Sequence, residues 1–230
     1  MYSNTKLKIS EKNKEITTIK MGFVNSFIIK GENKIILIDT GLPGSTNKII
    51  KKIEEMGFKT DQVSLIILTH AHLDHFGSVK QLQKITGAKV AIHKNDAMYL
   101  IEGKSAEVTP ISGFGKFMMR IVKNRSSKID GIKPDILIED KMDLNEFGIK
   151  GKVISTPGHT EGSVSILLNS RKCLVGDILG SSFGKPTYGM FCNDINKLKE
   201  SIIKIKDSNI KEVYLSHGGI ISIDKIRKTF

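Results

Sequence analysis

Short apolar runs, each bounded by turn residues and ending in a polar side chain, recur along the chain. Five of them read KIILIDTG (34–41), QVSLIILTH (62–70), KVISTPGH (152–159), KCLVGD (172–177) and EVYLSHG (212–218). Apolar runs of this length are typical of buried β-strands. Residues 16–38 further predict a meander of strands with a turn at Gly31-Glu32-Asn33. The hydrophobic pattern therefore predicts several strands, with functional groups placed at their ends.

Helical periodicity lies between several of these runs. Residues 45–57 begin at Ser45, a candidate N-cap, and end at Gly57, while residues 76–86 and 194–206 also have apolar positions at helical spacing. Strands and helices in this order predict an α/β fold in which helices cover sheet layers. In such folds, functional side chains collect where strands end and loops begin.

Residues 97–134 depart from this pattern. Glycines interrupt the segment, and one amphipathic piece carries apolar side chains at positions i, i+3, i+4, i+7 and i+8, namely Phe114, Phe117, Met118, Ile121 and Val122. Three interpretations stay open: a lid or pocket wall over the active site, a helix packed on the core, and a dimer contact. We predict one domain over residues 1–230, with residues 97–134 as an insertion for which covering the active site is one of these three interpretations.

Composition and charge narrow the class of protein. The chain has 230 residues, of which 39% are hydrophobic and 26% charged, as in an ordinary globular domain. No apolar run approaches the ~20 residues of a membrane span, and the N-terminus lacks the apolar region of a signal peptide. We therefore expect a cytoplasmic protein without a membrane partner. Its two cysteines, Cys173 and Cys192, form no CxxC pair and are expected to be thiols.

The net charge is +12, with lysines dispersed along the whole chain. Such a charge would attract an acidic substrate, nucleic acid or an anionic lipid surface. The dispersed pattern is more typical of a lysine-rich proteome than of a nucleic-acid-binding protein. We expect a small-molecule substrate, with an anionic one as the option that the charge favours.

The sequence THAHLDHFGS (69–78) concentrates metal-ligating residue types directly after an apolar run. It contains His70, His72, Asp74 and His75, which is more than one tetrahedral ion with an open position could use. Two ions would divide this set, as in hydrolytic sites where the ions lie about 3.5–4 Å apart. Other strand-like runs end in further candidate ligands, which are His159, Asp177 and His217. Only His93, one of six histidines, lies elsewhere and is expected to be structural.

The motifs IDTG, THAHLDH, TPGHTEGS, LVGD and LSHG, in this order, resemble those of the metallo-β-lactamase-fold superfamily. The resemblance implies a four-layer αββα sandwich with mixed sheets and two metal ions at one edge. It implies the following ligands for the first ion: His70, His72 and His159. For the second ion it implies Asp74, His75 and His217, with Asp177 bridging both ions. Asp39 would fix a ligand or loop by hydrogen bonds; the alternative is a turn carboxylate or N-cap before residues 45–57.

The same resemblance implies a dinuclear-metal hydrolase. A hydroxide that bridges the ions would attack the substrate, and Asp74 would also accept a proton from the attacking water. The nitrogen and oxygen ligands suit zinc first, with manganese, iron or cobalt as alternatives.

The complete histidine and aspartate set is similar to that of the glyoxalase II and lactonase branch. Class B1 β-lactamases of this superfamily instead carry a cysteine where this chain has Asp177. Lys185 and Tyr188 lie roughly where glyoxalase II has a lysine and a tyrosine that contact its substrate, and both are candidate substrate-binding residues. We expect hydrolysis of a carboxylic ester, thioester or lactone. The alternatives are a phosphodiesterase or nuclease, a weak β-lactamase, and a metal-binding module without turnover.

Overall fold

The computed structural model describes residues 14–111, 113, 115–117 and 129–230. Among these residues, fourteen strands form: β1 Ile16–Met21, β2 Val24–Lys30, β3 Ile35–Ile38, β4 Val63–Ile67, β5 Lys89–His93, β6 Ile136–Ile138, β7 Lys141–Asp143, β8 Gly151–Ser155, β9 Val164–Leu168, β10 Lys172–Leu174, β11 Gly180–Ser182, β12 Lys185–Thr187, β13 Glu212–Tyr214 and β14 Ile220–Ser222. The helices are α1 Thr46–Glu55, α2 Leu73–Phe76, α3 Val79–Thr86, α4 Ala97–Glu102, α5 Ile195–Lys206 and α6 Ile223–Thr229, with 3-10 turns at Thr60–Gln62 and Asn145–Phe147.

The strands form two six-stranded sheets and one small hairpin. The first sheet has the order β1-β2-β3-β4-β5-β6, antiparallel from β1 to β3 and parallel from β3 to β6. The second has the order β14-β13-β10-β9-β8-β7 and is antiparallel except for the parallel pair β10 and β13. The remaining two strands, β11 and β12, pair only with each other among the described residues. The mixed sheets are as predicted.

The two sheets pack face to face through alternate residues of their strands. Buried side chains of the first sheet contribute Phe27, Ile36, Ile38 and Leu65 to this inner layer, and those of the second contribute Val153, Ile166, Leu174 and Tyr214. Because side chains alternate across a strand, their sequence neighbours point outward. Burying these large apolar side chains between the sheets is the main force that holds the sandwich together.

Helices cover the outward faces. Ile49 and Ile53 of α1 and Leu82 of α3 pack on the first sheet. Ile202 of α5 and Ile226 of α6 pack on the second. The layer order is therefore helix, sheet, sheet, helix, which confirms the αββα prediction.

The predicted cap of the first helix is wrong. Ser45 lies at the N-cap of α1, but its side chain makes no capping hydrogen bond. Its backbone is already helical, at φ −77° and ψ −8°, whereas a capping side chain needs an extended residue to reach back to the helix. The Ser45 N–H instead donates to Ser78 Oγ at 2.9 Å.

The first part of the predicted insertion runs along a ligand-bearing loop. After α4, the Ala106 N–H donates to Ala71 O at 2.6 Å, and Ser105 Oγ accepts from the Leu73 N–H at 3.3 Å. Pro110 then forms an isolated antiparallel bridge with Phe191, which lies between β12 and α5 in the sequence. Of the predicted amphipathic piece, Phe117 is exposed and the other four positions lie outside the described residues.

Among the residues that the structure describes, none of the helices is both long and apolar enough to span a membrane. Both cysteines are buried free thiols, as expected.

Candidate metal centre

One edge of the sandwich collects side chains that follow strands of both sheets. His70, His72, Asp74 and His75 follow β4 of the first sheet; His159, Asp177 and His217 follow β8, β10 and β13 of the second. All seven of the predicted ligands meet here. They form two groups in which the potential ligand atoms lie within 4.8 Å of one another, namely His70, His72, His159 and Asp177, and Asp74, His75 and His217.

The first set contains three buried imidazoles, which we call the three-histidine group (His70, His72 and His159). Nδ1 of His72 lies 2.9 Å from Nε2 of His70 and 3.0 Å from Nε2 of His159. Asp177 Oδ2 completes the set at 3.6 Å from His159 Nε2 and 4.0 Å from His70 Nε2. Nitrogen ligands about 2.0–2.1 Å from a tetrahedral ion are about 3.3 Å apart, so the spacing is close to what one such ion requires.

These three imidazoles are neutral. Burial lowers the pKa of each, with the nearby imidazoles adding to the effect at His70 and His72, and the pKa of His72 falls to about 3. A metal binds the unprotonated nitrogen of imidazole. The three-histidine group therefore presents free lone pairs at neutral pH without first losing protons.

The second set, which we call the aspartate–histidine group (Asp74, His75 and His217), has a different electrostatic state. Asp74 Oδ2 lies 3.3 Å from His217 Nε2 and 3.8 Å from His75 Nε2. Burial lowers the pKa of His217, but the charge of Asp177 and hydrogen bonds to Asp177 and Asp74 outweigh it and raise the pKa to about 10. Burial opposes protonation of His75 too, and Asp177, Asp39 and Asp74 together raise its pKa well above the ordinary value.

Asp177 touches both groups. Its Oδ2 lies 3.2 Å from His217 Nε2, and its Oδ1 lies 3.4 Å from His75 Nε2. Burial alone would raise the pKa of this carboxyl group, but His217 and His75 hold it well below its usual range. Burial would likewise raise the pKa of Asp74, which His75 and a hydrogen bond to His217 lower to about 2. Both carboxylates are ionised at neutral pH.

Four of the imidazoles are held by the nitrogen that faces away from the centre. The Nδ1 atoms of His70, His75, His159 and His217 lie 2.8–3.0 Å from Thr69 Oγ1, Asp39 Oδ2, Phe191 O and Phe23 O, respectively. A carbonyl oxygen can only accept, so His159 and His217 carry a proton on Nδ1. Each of the four rings therefore turns Nε2 toward the centre, and only His72 presents Nδ1.

Asp39 lies where the sequence predicted an outer partner of a ligand. Its carboxylate accepts from the Thr69 N–H and Oγ1, each at 2.8 Å, and from His75 Nδ1 at 2.8 Å. These contacts occupy both oxygens. The carboxylate is therefore hydrogen-bonded to the loop that carries the candidate ligands, and it does not cap the N-terminus of α1. The backbone of Asp39 is left-handed, at φ 58°.

The chemistry of the donor set fits metal ions. Within the centre, three buried polar atoms have no hydrogen-bond partner among the described residues: His72 Nε2, His75 Nε2 and Asp177 Oδ1. Buried polar atoms without a partner are costly, and two of these, His75 Nε2 and Asp177 Oδ1, face each other in the centre. Imidazole nitrogens and carboxylate oxygens are ligands of zinc, manganese and iron, so the residues present fit such ions.

The other candidate residues lie outside this cluster. Lys185 is exposed on β12, and the ring of Tyr188 packs on Phe230 with centroids 4.7 Å apart. His93, expected to be structural, ends β5, where its Nδ1 accepts from the Asn95 N–H at 3.2 Å. Sequence reasoning missed Asp96, a buried carboxylate beside the ligand loops, because an aspartate directly before a helix is usually an N-cap.

Comparison with known proteins agrees with this geometry. The family model of the metallo-beta-lactamase superfamily matches residues 19–217. The probable metallo-hydrolase MJ0888 of Methanocaldococcus jannaschii is 31% identical over 201 residues, covering 85% of this chain and 88% of that protein. Hydroxyacylglutathione hydrolase GloC of Haemophilus influenzae is 23% identical over 209 residues, covering 89% of each.

Among solved structures, the fold is similar to that of ST1585 from Sulfolobus tokodaii, described as an archaeal metallo-beta-lactamase superfamily protein. The TM-score is 0.67 at 21% identity, covering 94% of this chain and 84% of that one. The two-sheet sandwich, the side chains gathered at its edge and a family match over most of the chain all agree. The chain belongs to the metallo-beta-lactamase superfamily.

Proposed function

We propose that this protein is a hydrolase that holds two divalent cations and cleaves a carboxylic ester, thioester or lactone of a small-molecule substrate. The observation that carries the proposal is the convergence of five imidazoles and two carboxylates into two adjacent groups that share Asp177. The three-histidine group with Asp177 would hold one ion, and the aspartate–histidine group with Asp177 the other. Zinc is the ion that we favour for these ligands.

Bound divalent cations would lower the pKa of a water molecule at the centre and polarise the oxygen of the scissile group. The chain's own residues would hold the reacting groups and move the proton. Asp74 is ionised, and its side chain is 22% exposed, against 12% for Asp177. This carboxylate can therefore reach substrate and accept a proton from the attacking water. Asp177 is the more enclosed and would keep the two groups at a fixed spacing.

The hydrogen bonds on the outer side of the rings support a metal site whose ligands are held in place in advance. Asp39, Phe23 O and Phe191 O fix imidazoles whose Nε2 atoms face one open edge. Rings held in advance lose little entropy when the reacting groups are bound. The name of the relative from Haemophilus influenzae specifies a thioester substrate, which supports thioesters as the first class to assay.

The test combines metal analysis with a substrate screen. Purified protein is loaded with Zn²⁺, dialysed and analysed for metal, and then assayed on a panel of esters, thioesters and lactones. We expect two ions per chain and turnover that falls by more than about 100-fold in Asp177→Asn and His70→Ala, because both residues would be ligands. His93→Gln is the matched control, because His93 is also buried but lies outside the centre.

The other results have definite meanings. If the purified protein binds no metal ion, the proposed function is wrong. Two ions per chain with cleavage only of bis(p-nitrophenyl) phosphate would assign the phosphodiesterase alternative. Full metal occupancy without turnover on any substrate would indicate a metal-binding module.

A further inference from the structure

Asp96 occupies the N-cap position of α4 but does not cap it. Aspartate at this position usually accepts hydrogen bonds from the first N–H groups of its helix. Here the side chain is turned away from the helix, and the residue is only 1% exposed. Its Oδ2 accepts from the Ala71 N–H at 2.8 Å and from Thr160 Oγ1 at 2.9 Å, and its Oδ1 accepts from the Gly162 N–H at 2.9 Å.

These three donors belong to the two loops that carry the three-histidine group. Ala71 lies between His70 and His72, and Thr160 directly follows His159. The first loop extends from β4 of one sheet and the second from β8 of the other. A single buried carboxylate therefore ties together the two loops whose imidazoles must meet at one point.

Gly162 shows that space is kept for this carboxylate. A Cβ atom added at residue 162 would lie 2.5 Å from Asp96 Cγ and Oδ1, which is closer than non-bonded atoms approach each other. The backbone of Gly162 is not in the left-handed region, so its conformation does not require glycine. The missing side chain is explained by the close approach of Asp96.

The charge of Asp96 is not balanced by its hydrogen-bond partners. All three are neutral donors, and the described residues include no lysine or arginine in an ion pair with it. A buried carboxylate without a cation is costly. A divalent cation held by the adjacent three-histidine group would supply the compensating charge.

We propose that Asp96 is a positioning residue that sets the spacing of the two loops and thereby the metal affinity of the three-histidine group. This inference rests on the proposed function, because it requires that the group holds an ion. The Asp96 carboxylate makes its hydrogen bonds to Ala71, Thr160 and Gly162, and it belongs to neither group of candidate ligands. It acts through Ala71 and Thr160 on the imidazoles beside them.

The test measures metal affinity in each group separately. His217→Ala leaves the three-histidine group to bind metal alone, and His70→Ala leaves the aspartate–histidine group. Zn²⁺ affinity is determined in both backgrounds by competition with a chromophoric chelator, with and without Asp96→Asn. We expect Asp96→Asn to weaken binding by the three-histidine group by about 10–100-fold. Binding by the aspartate–histidine group should change by less than about threefold. Asp74 and His75 follow Ala71 on the same loop, but His75 is anchored separately, through its carbonyl oxygen to the Thr40 N–H at 2.6 Å and through Nδ1 to Asp39 at 2.8 Å.

A second variant and a stability control separate positioning from general destabilisation. Thr160→Val keeps the carboxylate and removes one of its three donors, so affinity of the three-histidine group should fall about tenfold. Thr160→Val also tests the positioning role if Asp96→Asn does not fold. Ile53→Ala removes a buried side chain of α1, and is expected to lower the free energy of unfolding without changing metal affinity. The Co²⁺ absorption spectrum of the three-histidine group should change with Asp96→Asn but not with Ile53→Ala.

Unchanged affinity of the three-histidine group in Asp96→Asn, or in Thr160→Val where the former does not fold, overturns the positioning role and leaves the proposed function standing. Equal weakening of both groups also overturns it, since it would reveal a general loss of stability. Failure of the unmodified protein to bind any ion would overturn both proposals.

Discussion

At the scale of single residues, the orientation of the candidate ligands depends on hydrogen bonds on the side that faces away from the centre. His75 presents Nε2 to the centre because its Nδ1 lies 2.8 Å from Asp39 Oδ2, and Thr69 binds the same carboxylate through its N–H and its hydroxyl. Such outer partners fix ring orientation and tautomer. The left-handed backbone of Asp39 suits only a few residue types, of which asparagine is one.

Asp39→Asn is therefore expected to keep the backbone and lose the charge. The amide has only one acceptor oxygen, so its NH₂ group must face at least one of the three donors that the two carboxylate oxygens accept, which are the Thr69 N–H, the Thr69 hydroxyl and His75 Nδ1. We expect metal affinity to fall by about 10–100-fold, as measured by Zn²⁺ competition. Asp130→Asn is the control, because Asp130 is exposed and its ion pair is with Lys80. Equal affinities in the two variants would show that Asp39 does not orient His75.

At the scale of elements, the sequence predicted the helices and strands whose hydrophobic pattern lies within one continuous stretch of residues. The run 62–70 contains β4, and residues 45–57 contain α1, because apolar periodicity follows directly from burial. The strand β11 reads GSS and has no apolar side chain, and β14 reads IIS, so neither was recognised. The equally short β10 and β13 were recognised because Val175 and Leu215 continue their apolar runs. Ligands were found because histidine clusters are rare in sequence, whereas Asp96 acquires its contacts only when distant loops meet.

The contact between α5 and the loop of His159 yields a prediction of this scale. Gly158 lies at φ 131°, and a Cβ there would approach Leu198 N and Cα of α5 to 2.4 Å. Its carbonyl oxygen also accepts the N–H groups of Asn193 and Asp194, just before the helix. An added methyl group must therefore push the start of α5 away from the loop that carries His159.

Gly158→Ala should lower the free energy of unfolding by more than about 2 kcal/mol and weaken metal binding. Gly87→Ala is the matched control: its φ is also positive, at 68°, but a Cβ there meets nothing within 4 Å. We expect about 1 kcal/mol of destabilisation for Gly87→Ala and no change in metal affinity. Urea unfolding and metal competition measure both, and similar results for the two variants would contradict this account of the contact.

At the scale of the whole molecule, buried histidines make stability depend on pH in the metal-free protein. Burial lowers the pKa of His93 as it does for the three-histidine group. The stability from these neutral rings is present above pH 6.5 and is lost as the pH falls below it. For His75 and His217 the sign is opposite. The stabilisation of the fold by these two protonated rings is complete below pH 6.5. It is lost as the pH rises through the folded-state pKa, which is about 10 for His217.

The metal-free protein should therefore be most stable near neutral pH. From pH 6.5 to 5, each of the four neutral rings can contribute a loss of up to about 1.4 kcal/mol per pH unit. Urea unfolding in the presence of a chelator, at pH 5, 6.5 and 9, measures this profile. A free energy of unfolding that rises between pH 6.5 and 5 would contradict it.

The candidate ligands reach the centre from both sheets, and this has a mechanical consequence. Ions held there would cross-link the two halves of the chain at one edge of the sandwich. For each bound ion, unfolding would then cost about 1.4 kcal/mol more for every tenfold rise of free metal above its dissociation constant. Chelation would loosen the entire protein, and its resistance to a protease would report how much free metal surrounds it.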